Sequence, residues 1–158
     1  MRKIALSISE IKDIEKREFL RLGDSFKLME QAGKACAKQI IKIYKKNRFI
    51  IVCGPGNNGG DGLILSSCLN EHGKEVDLYC LGKNNYKGDS LKAYKKNKLK
   101  KKPLEELNIN QDAVIVDALF GIGLNKKIEG IFKDCINKIN NSKLKVIAVD
   151  IPSGIYGD

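Results

Sequence analysis

The chain has 158 residues, of which 42% are hydrophobic and 30% charged, and its formal net charge is +10. This length and composition fit one globular domain with a buried core, and no apolar run approaches the roughly 20 residues that a membrane-spanning helix needs. The N-terminal residues lack the sustained apolar segment and the small-residue cleavage site of a signal peptide.

The N-terminal third predicts two helices followed by a strand. From Ser9 to about Lys46, apolar residues recur at three- and four-residue steps, which is the helical period. Gly23 interrupts the pattern, and Asp24 or Ser25 then offers a cap for a second helix. The continuous apolar run over residues 49–53 predicts a parallel strand that is buried on both faces.

The remaining chain alternates predicted helices and strands. The patterns predict a helix over residues 63–69, a strand over 75–81, a helix near 90–97, a strand over 113–117, a helix over about 129–140 and a strand over 144–150. Such alternation implies right-handed crossovers. We therefore expect an α/β fold, with a mostly parallel sheet between two layers of helices, in a single domain over residues 1–158.

Three polar or glycine-rich segments each follow the carboxyl end of a predicted strand. They are residues 54–62, 117–124 and 150–154. Ligands of open α/β sheets bind outside these strand ends. The three segments are therefore expected to meet at one crevice.

The first segment, Gly54–Gly62, predicts a binding loop for an anionic ligand. Its glycines allow close approach of the backbone to a ligand and permit positive φ, and the helix that follows favours an anion such as pyrophosphate. No Gly-Lys-Ser/Thr follows, so it is not a Walker loop. Asn57, Asn58 and Asp61 can offer amide groups and a carboxylate to a ligand or an ion; the alternative is that they are present because they tolerate tight turns.

Two aspartates, Asp117 and Asp150, each end a predicted strand. A carboxylate there can accept ligand hydroxyls, bind a cation or transfer a proton, or else only fix a loop. Ser153 can cap a helix or supply an oxygen ligand. Asn58, Asp117 and Ser153 together offer only hard oxygen ligands, which suit an alkali or alkaline-earth cation rather than zinc or copper.

The cysteines and the single histidine do not predict a metal or nucleophilic site. The thiols are scattered, without a Cys-x-x-Cys pair, at Cys36, Cys53, Cys68, Cys80 and Cys135. Reduced thiols in the cytoplasm are the simplest interpretation. Cys53, beside the glycine loop, is expected to be a buried, inert thiol, although it could line the site. His72, which follows a predicted helix, is expected at the surface.

The Lys-rich segment over residues 83–102 contributes much of the positive charge. It could attract the phosphates of a nucleotide or nucleic acid, or be a solvated helix face and loop. Tyr86 and Tyr94 only flank its densest part, so it lacks the interleaved aromatic residues of a single-strand stacking platform.

Residues 54–62, 117–124 and 149–154 resemble, in order and spacing, the signatures of the NAD(P)H-hydrate epimerases, the YjeF N-terminal domain family. Residues 28–33 resemble the family's N-terminal helical segment, so the similarity spans nearly the whole chain. The resemblance implies a three-layer α/β/α Rossmann-like sandwich, a homodimer, and epimerisation of the R and S forms of hydrated NADH and NADPH (NADHX and NADPHX) at C6 of the ring.

The resemblance also implies the residues of the site. Substrate contacts would come from the first loop, the second loop and the last strand end: Asn57, Asn58, Gly59, Gly60, Asp61, Gly121, Ile122, Gly123, Leu124, Asn125, Lys126, Lys127 and Asp150. A potassium ion would be held by Asn58, Asp117 and Ser153. As a hypothesis on mechanism, Asp150 is the acid/base group.

One departure and two alternatives stay open. Domains of this family usually continue for some tens of residues past the Pro-Ser-Gly motif, so the chain is expected to be truncated, or part of a protein that includes an NAD(P)H-hydrate dehydratase. A non-catalytic nucleotide- or RNA-binding scaffold of the same fold is the first alternative, although nucleic acid is not the expected partner. A nicotinamide dehydrogenase is the second, but Cys80-Leu81-Gly82 stands where a ribose-binding acidic residue is expected.

Overall fold

The computed structural model describes residues 7–109 and 112–155. The helices are α1 (Ile8–Leu22), α2 (Ser25–Ile43), α3 (Asn57–Glu71), α4 (Gly88–Lys96) and α5 (Gly130–Asn141). The strands are β1 (Arg48–Cys53), β2 (Glu75–Cys80), β3 (Lys101–Pro103), β4 (Val114–Ala118) and β5 (Lys145–Ala148). Short 3-10 turns lie at Lys83–Asn85 and Leu104–Glu106.

The two N-terminal helices begin and end where the sequence signals predict. Ser7 and Glu10 form a reciprocal capping box at the start of α1. Gly23 ends α1 with φ of 66°, a left-handed conformation that glycine adopts without steric penalty. The Asp24 side chain accepts a hydrogen bond from the Phe26 amide at 2.9 Å and so caps α2.

The sheet is parallel throughout, with strand order β3-β2-β1-β4-β5. This is the strand order of the Rossmann fold, and the α/β prediction is confirmed. Strands β2 and β3 lie on one side of β1, and β4 and β5 lie on the other, so the strand order switches sides after β3. The loops that follow the neighbouring strands β1 and β4 therefore flank one crevice at the carboxyl ends of the strands. The sequence pattern missed β3, because its three residues lie inside the Lys-rich segment and lack an apolar run.

The residues of β1 alternate between the two faces of the sheet. Phe49 and Ile51 pack with α2 and α3 on one face, whereas Ile50 and Val52 pack with residues of α5 on the other. All four side chains are at most 1% exposed. Burying each such side chain stabilises the fold by about 1.5–3 kcal/mol, so β1 is the centre of both cores.

The periphery is less covered than the centre. None of the residues of α1 is buried, and Phe19 and Leu20 are 45% and 71% exposed. At the β5 edge, Val146 is 43% exposed. No helix in the described ranges combines the length and apolar character needed to cross a bilayer.

Candidate active site

The glycine-rich segment after β1 passes directly into the first turn of α3, which begins at Asn57. Gly54 donates a backbone hydrogen bond to the Ala118 carbonyl at the end of β4, at 3.0 Å. Gly56 caps the helix without a side-chain hydrogen bond, so the first amides of α3 are left without a side-chain acceptor at the cap. This is the arrangement in which a helix N-terminus binds an anion.

The loop glycines serve close packing rather than positive φ. Within the described residues, positive φ occurs at other glycines and at none of Gly54–Gly62, so this loop does not use the positive φ that glycine permits. A Cβ on Gly54 would overlap the Leu119 carbonyl oxygen, and a Cβ on Gly59 would overlap the Gly54 carbonyl oxygen. The missing side chains therefore let the loop after β1 lie against the loop after β4.

Asp117 and Ser153 join the ends of β4 and β5 through buried hydrogen bonds. Asp117 is 5% exposed and Ser153 is 9% exposed. The Ser153 amide donates to Asp117 Oδ2 at 2.8 Å, and the Ser153 hydroxyl donates to Asp117 Oδ1 at 2.7 Å. The Leu119 amide adds a third hydrogen bond to Oδ1 at 3.1 Å. The Asp117 carboxylate thus fixes two loops through three hydrogen bonds.

The backbone of Phe120 connects this pair to α3. The Phe120 amide donates to Ser153 Oγ at 2.9 Å, and the Phe120 carbonyl accepts from Asn58 Nδ2 at 2.8 Å. We call Asn58, Asp117, Ser153 and the Phe120 peptide the oxygen cluster. Phe120 lies in the second sequence motif, but we predicted no role for it, because the residue type does not show which hydrogen bonds its backbone groups make.

The donor set of the oxygen cluster fits a hard cation. Asn58 Oδ1 is buried and has no hydrogen-bond partner among the described residues. An orphaned buried acceptor is costly unless a donor or a cation satisfies it. The neighbouring Asp117 and Ser153 also offer oxygen only, which is the ligand type that alkali and alkaline-earth ions prefer.

Asp150 lies two residues beyond the end of β5 in a left-handed conformation, with φ of 74°. Such a φ is uncommon for a residue other than glycine and clusters at functional sites. Its Oδ2 accepts a hydrogen bond from the Ile122 amide at 2.8 Å, and a Cβ on Gly121 would overlap the same oxygen. The carboxylate is therefore held against the second loop while the residue as a whole stays exposed.

The remaining predicted substrate residues fall into two groups. Gly59 and Gly60 are buried at the start of α3, and Asn57 is exposed there. In the second loop, Gly121 is buried and Ile122 and Leu124 are partly buried, whereas the rest of the stretch is exposed: Gly123, Asn125, Lys126 and Lys127. Lys127 pairs with Glu129 at 3.2 Å, with both side chains mostly exposed. The start of the second loop thus lies against Asp150, whereas the basic end of that loop is exposed to solvent.

Asp61 is partly buried in the early turns of α3. Burial, together with the negative charges of Glu15 and Asp150, raises the pKa of its carboxyl to about 7. Glu15 belongs to α1, and no sequence motif pointed to it. Its charge acts on Asp61 although the two residues are far apart in the sequence.

Three further predictions, on Cys53, the Lys-rich segment and His72, can be compared with the structure. Cys53 is fully buried, and burial raises the pKa of its thiol well above the ordinary value, as expected of an inert thiol. In the Lys-rich segment several lysines have acidic partners: Lys96 pairs with Glu30 and Lys102 with Asp77. His72 is exposed at the end of α3, as expected.

Comparison with known proteins places these features in one family. The family described as YjeF-related protein N-terminus matches residues 25–158. The NAD(P)H-hydrate epimerase of Lentilactobacillus buchneri is 32% identical over 98% of this chain and 74% of its own length. That of Entamoeba histolytica is 40% identical over 80% of this chain and 59% of its own length.

Two further relatives extend the comparison. The bifunctional NAD(P)H-hydrate repair enzyme Nnr of Thermofilum pendens is 34% identical over 96% of this chain, which spans 31% of that protein. The crystal structure of yeast ynu0, YNL200c, superposes with a TM-score of 0.75 at 24% identity, covering 96% of this chain and 72% of that one. The fold and the similarity over most of the chain together confirm the resemblance: the chain belongs to the YjeF N-terminal domain family, the family of the NAD(P)H-hydrate epimerases.

Proposed function

We propose that this chain interconverts the R and S forms of NADHX and NADPHX in the repair of nicotinamide nucleotides. The observation that carries the proposal is the position of Asp150, whose backbone has a positive φ and whose carboxylate accepts a hydrogen bond from the Ile122 amide of the second loop. Its sequence relatives named NAD(P)H-hydrate epimerase support the same reaction.

The nucleotide would bind across the start of α3. The uncapped N-terminus of this helix suits the pyrophosphate, because its free amides and its dipole both favour negative charge. Side chains of Asn57 to Asp61 and the second loop, Gly121 to Lys127, would contact the rest of the substrate. The exposed Lys126 and Lys127 add positive charge on the side from which a phosphate approaches.

Asp150 is the proposed acid/base group. Inversion at C6 requires the hydroxyl to leave or the ring to open, and both routes need proton transfer next to that carbon. We expect Asp150→Asn to lower kcat by about 100-fold or more, because asparagine keeps the shape but cannot exchange a proton. Nucleotide binding, measured by calorimetry, should change little. An asparagine variant that turns over normally would refute the assignment.

A potassium ion is the proposed resident cation, held by Asn58, Asp117 and Ser153. It would supply a fixed positive charge that offsets the buried Asp117 carboxylate and satisfies Asn58 Oδ1. We expect the midpoint of thermal unfolding to rise when potassium replaces the bulky tetramethylammonium ion at equal ionic strength. Asn58→Ala should abolish that rise, whereas Asn70→Ala, on the exposed end of α3, should keep it.

The activity itself is tested by coupling. R-NADHX is mixed with the protein and an S-specific dehydratase, and the recovery of NADH is followed by absorbance. Recovery faster than the spontaneous rate supports the proposal. Saturable binding of RNA without acceleration would instead support a non-catalytic scaffold, which the exposed lysines of the Lys-rich segment would suit.

The proposed setting of the protein is the cytoplasm, as one epimerase domain acting with an NAD(P)H-hydrate dehydratase. Five free cysteines support a reducing compartment. The exposed apolar side chains of α1, among them Phe19 and Leu20, support a homodimer. Sedimentation of the protein with and without Leu20→Glu tests the dimer.

A further inference from the structure

The segment that follows β2, residues 81–90, lies beside the glycine-rich loop that follows β1. The two strands are parallel neighbours whose last residues are paired in register, so both segments start at the same edge of the sheet. The Ser90 hydroxyl, in the first turn of α4, lies 2.9 Å from the carbonyl oxygens of both Pro55 and Lys87. A Cβ on Gly60 would lie 3.3 Å from the Ser90 Cα. Residues 81–90 therefore form a wall of the crevice at the start of α3.

This wall carries positive charge that no protein group neutralises. Lys83 and Lys87 are exposed, and neither side chain has a hydrogen bond or an ion pair with the described residues. The only acidic residue in the segment is Asp89, whose side chain is 16% exposed and pairs with Lys92 at 2.8 Å. The segment thus presents two free ammonium groups and no free carboxylate to the crevice.

The proposed reacting end of the substrate lies on the other side of the crevice. Asp150 follows β5, and the second loop, whose Ile122 amide binds its carboxylate, follows β4. The pyrophosphate would rest between the two sides, at the N-terminus of α3 after β1. With the strand order β3-β2-β1-β4-β5, the adenosine half of the dinucleotide then extends towards the carboxyl end of β2. This is the course that a dinucleotide takes across a Rossmann sheet.

The residues that follow β2 distinguish the two nicotinamide dinucleotides in Rossmann proteins. An acidic side chain there binds the 2′-hydroxyl of the adenosine ribose, whereas a basic side chain accommodates a 2′-phosphate. Here Leu81 and Gly82 follow the strand, and Lys83 comes next, at the start of a 3-10 turn. Lys87 adds a second ammonium group, and its backbone is linked to the glycine-rich loop through the Ser90 hydroxyl. Two such groups suit a doubly charged phosphate better than a neutral hydroxyl.

We propose that Lys83 and Lys87 bind the 2′-phosphate of the adenosine ribose and thereby make NADPHX the preferred substrate over NADHX. This inference rests on the proposed function, because it extends the same bound nucleotide from Asp150 and α3 to β2. The two lysines lie outside the segments 54–62, 117–124 and 149–154 that carry the resemblance to the family. They would act on specificity and not on the chemical step.

Kinetics of the full chain test the preference. R-NADPHX and R-NADHX are supplied separately with an excess of S-specific dehydratase, and the wild type should have a kcat/KM about 10-fold higher for NADPHX. Lys83→Ala and Lys87→Ala should each lower that kcat/KM by about 5-fold, mainly through KM, because one charged contact is lost. With NADHX the two variants should behave like the wild type.

Lys95→Ala is the matched control. Lys95 is an exposed lysine of the same helix, about 12 Å along the axis from Lys87, and its loss changes the net charge equally. This variant should keep the preference for NADPHX. If it loses the preference as the other two variants do, a general positive field explains the data and the inference is wrong.

Equilibrium binding supplies a readout that does not depend on turnover. The probes are ADP-ribose and its 2′-phosphate derivative, which differ only in that phosphate, and calorimetry should show about 10-fold tighter binding of the derivative. The double variant Lys83→Ala/Lys87→Ala should bind the two probes equally. If the wild type epimerises both substrates with the same kcat/KM, the inference is wrong while the proposed function stands. If the wild type has no activity, the proposed function fails, and equal or absent binding of the two probes would overturn the phosphate site separately.

Discussion

Two aspartates, Asp117 near the carboxyl end of β4 and Asp61 in the early turns of α3, have opposite environments. Asp117 is buried and accepts hydrogen bonds from two backbone amides and a hydroxyl. Asp61 is partly buried and accepts none from the described residues. The difference teaches how one site can use a carboxyl group either to hold loops together or to keep a proton available.

The same contrast applies to stability. The oxygen cluster joins the loops after β1, β4 and β5 through hydrogen bonds of 2.7 to 3.1 Å. Glu15 and Asp150, in contrast, each repel an ionised Asp61, which is a cost to folding. Substitutions in the first group should therefore weaken the fold, whereas neutralising Asp61 should strengthen it.

The largest expected effect on stability is that of Asp117→Ala. We expect it to lower the free energy of unfolding by about 3 kcal/mol, because the buried amides of Leu119 and Ser153 lose their acceptor. Urea unfolding followed by circular dichroism measures this. Asp112→Ala is the matched control: its exposed ion pair with Lys46 should be worth less than about 1 kcal/mol. Equal losses for the two variants would contradict the distinction.

The second effect has the opposite sign and depends on pH. The pKa of Asp61 is raised from 3.8 in the unfolded chain to about 7 in the folded protein, so the folded state binds the proton more tightly. Its contribution to stability is present below pH 4 and is lost as the pH rises through 7. The side chain of Asp61→Asn cannot ionise, so the variant should not lose this stability as the pH rises.

We expect Asp61→Asn to match the wild type near pH 4 and to exceed its unfolding free energy at pH 8 by on the order of 2 kcal/mol, a value reduced for screening by solvent. Denaturant titrations at the two pH values measure the difference. Asp13→Asn, on exposed α1 surface, is the control and should show little dependence on pH. A stabilisation of equal size at both pH values would mean that ionisation of Asp61 is not its cause.

The smallest of the three effects is expected for Ser153→Ala, at about 1 kcal/mol. The variant removes the acceptor of the Phe120 amide and one donor to Asp117, but the Ser153 amide still reaches Asp117. Ser67→Ala removes a longer hydrogen bond of 3.3 Å to a helix carbonyl and serves as the comparison. A loss for Ser153→Ala as large as that for Asp117→Ala would mean that the hydroxyl, not the carboxylate, dominates the cluster.

Much of the fold could be predicted from the sequence, because its signals are local. The continuous apolar run of β1 and the cap at Asp24 depend only on neighbouring residues. The same patterns predicted the end of β4 to within one residue, whereas β5 ends at Ala148, two residues before the predicted end at Asp150. The short β3 could not be predicted, since its Lys101 and Lys102 pair with β2 only once the sheet exists.

The sequence indicated which residues could form the candidate site, but not the hydrogen bonds that connect them. The side chains of Asn58, Asp117 and Ser153 indicated oxygen ligands. The Phe120 backbone groups that link them could not be predicted, because the residue type does not show which hydrogen bonds a backbone group makes. The influence of Glu15 on Asp61 depends on where the fold places α1, which no spacing encodes. Backbone groups and long-range charge effects are the features that sequence patterns do not carry.

The backbone of Phe120 connects the oxygen cluster to the loop that contacts Asp150. Its carbonyl is bound to Asn58 and its amide to Ser153, and the loop that holds Asp150 begins at the next residue. A cation bound at Asn58 and a nucleotide bound at that loop would both act on the backbone conformation of Phe120. Thermodynamic reciprocity then requires each to change the affinity of the other by the same factor.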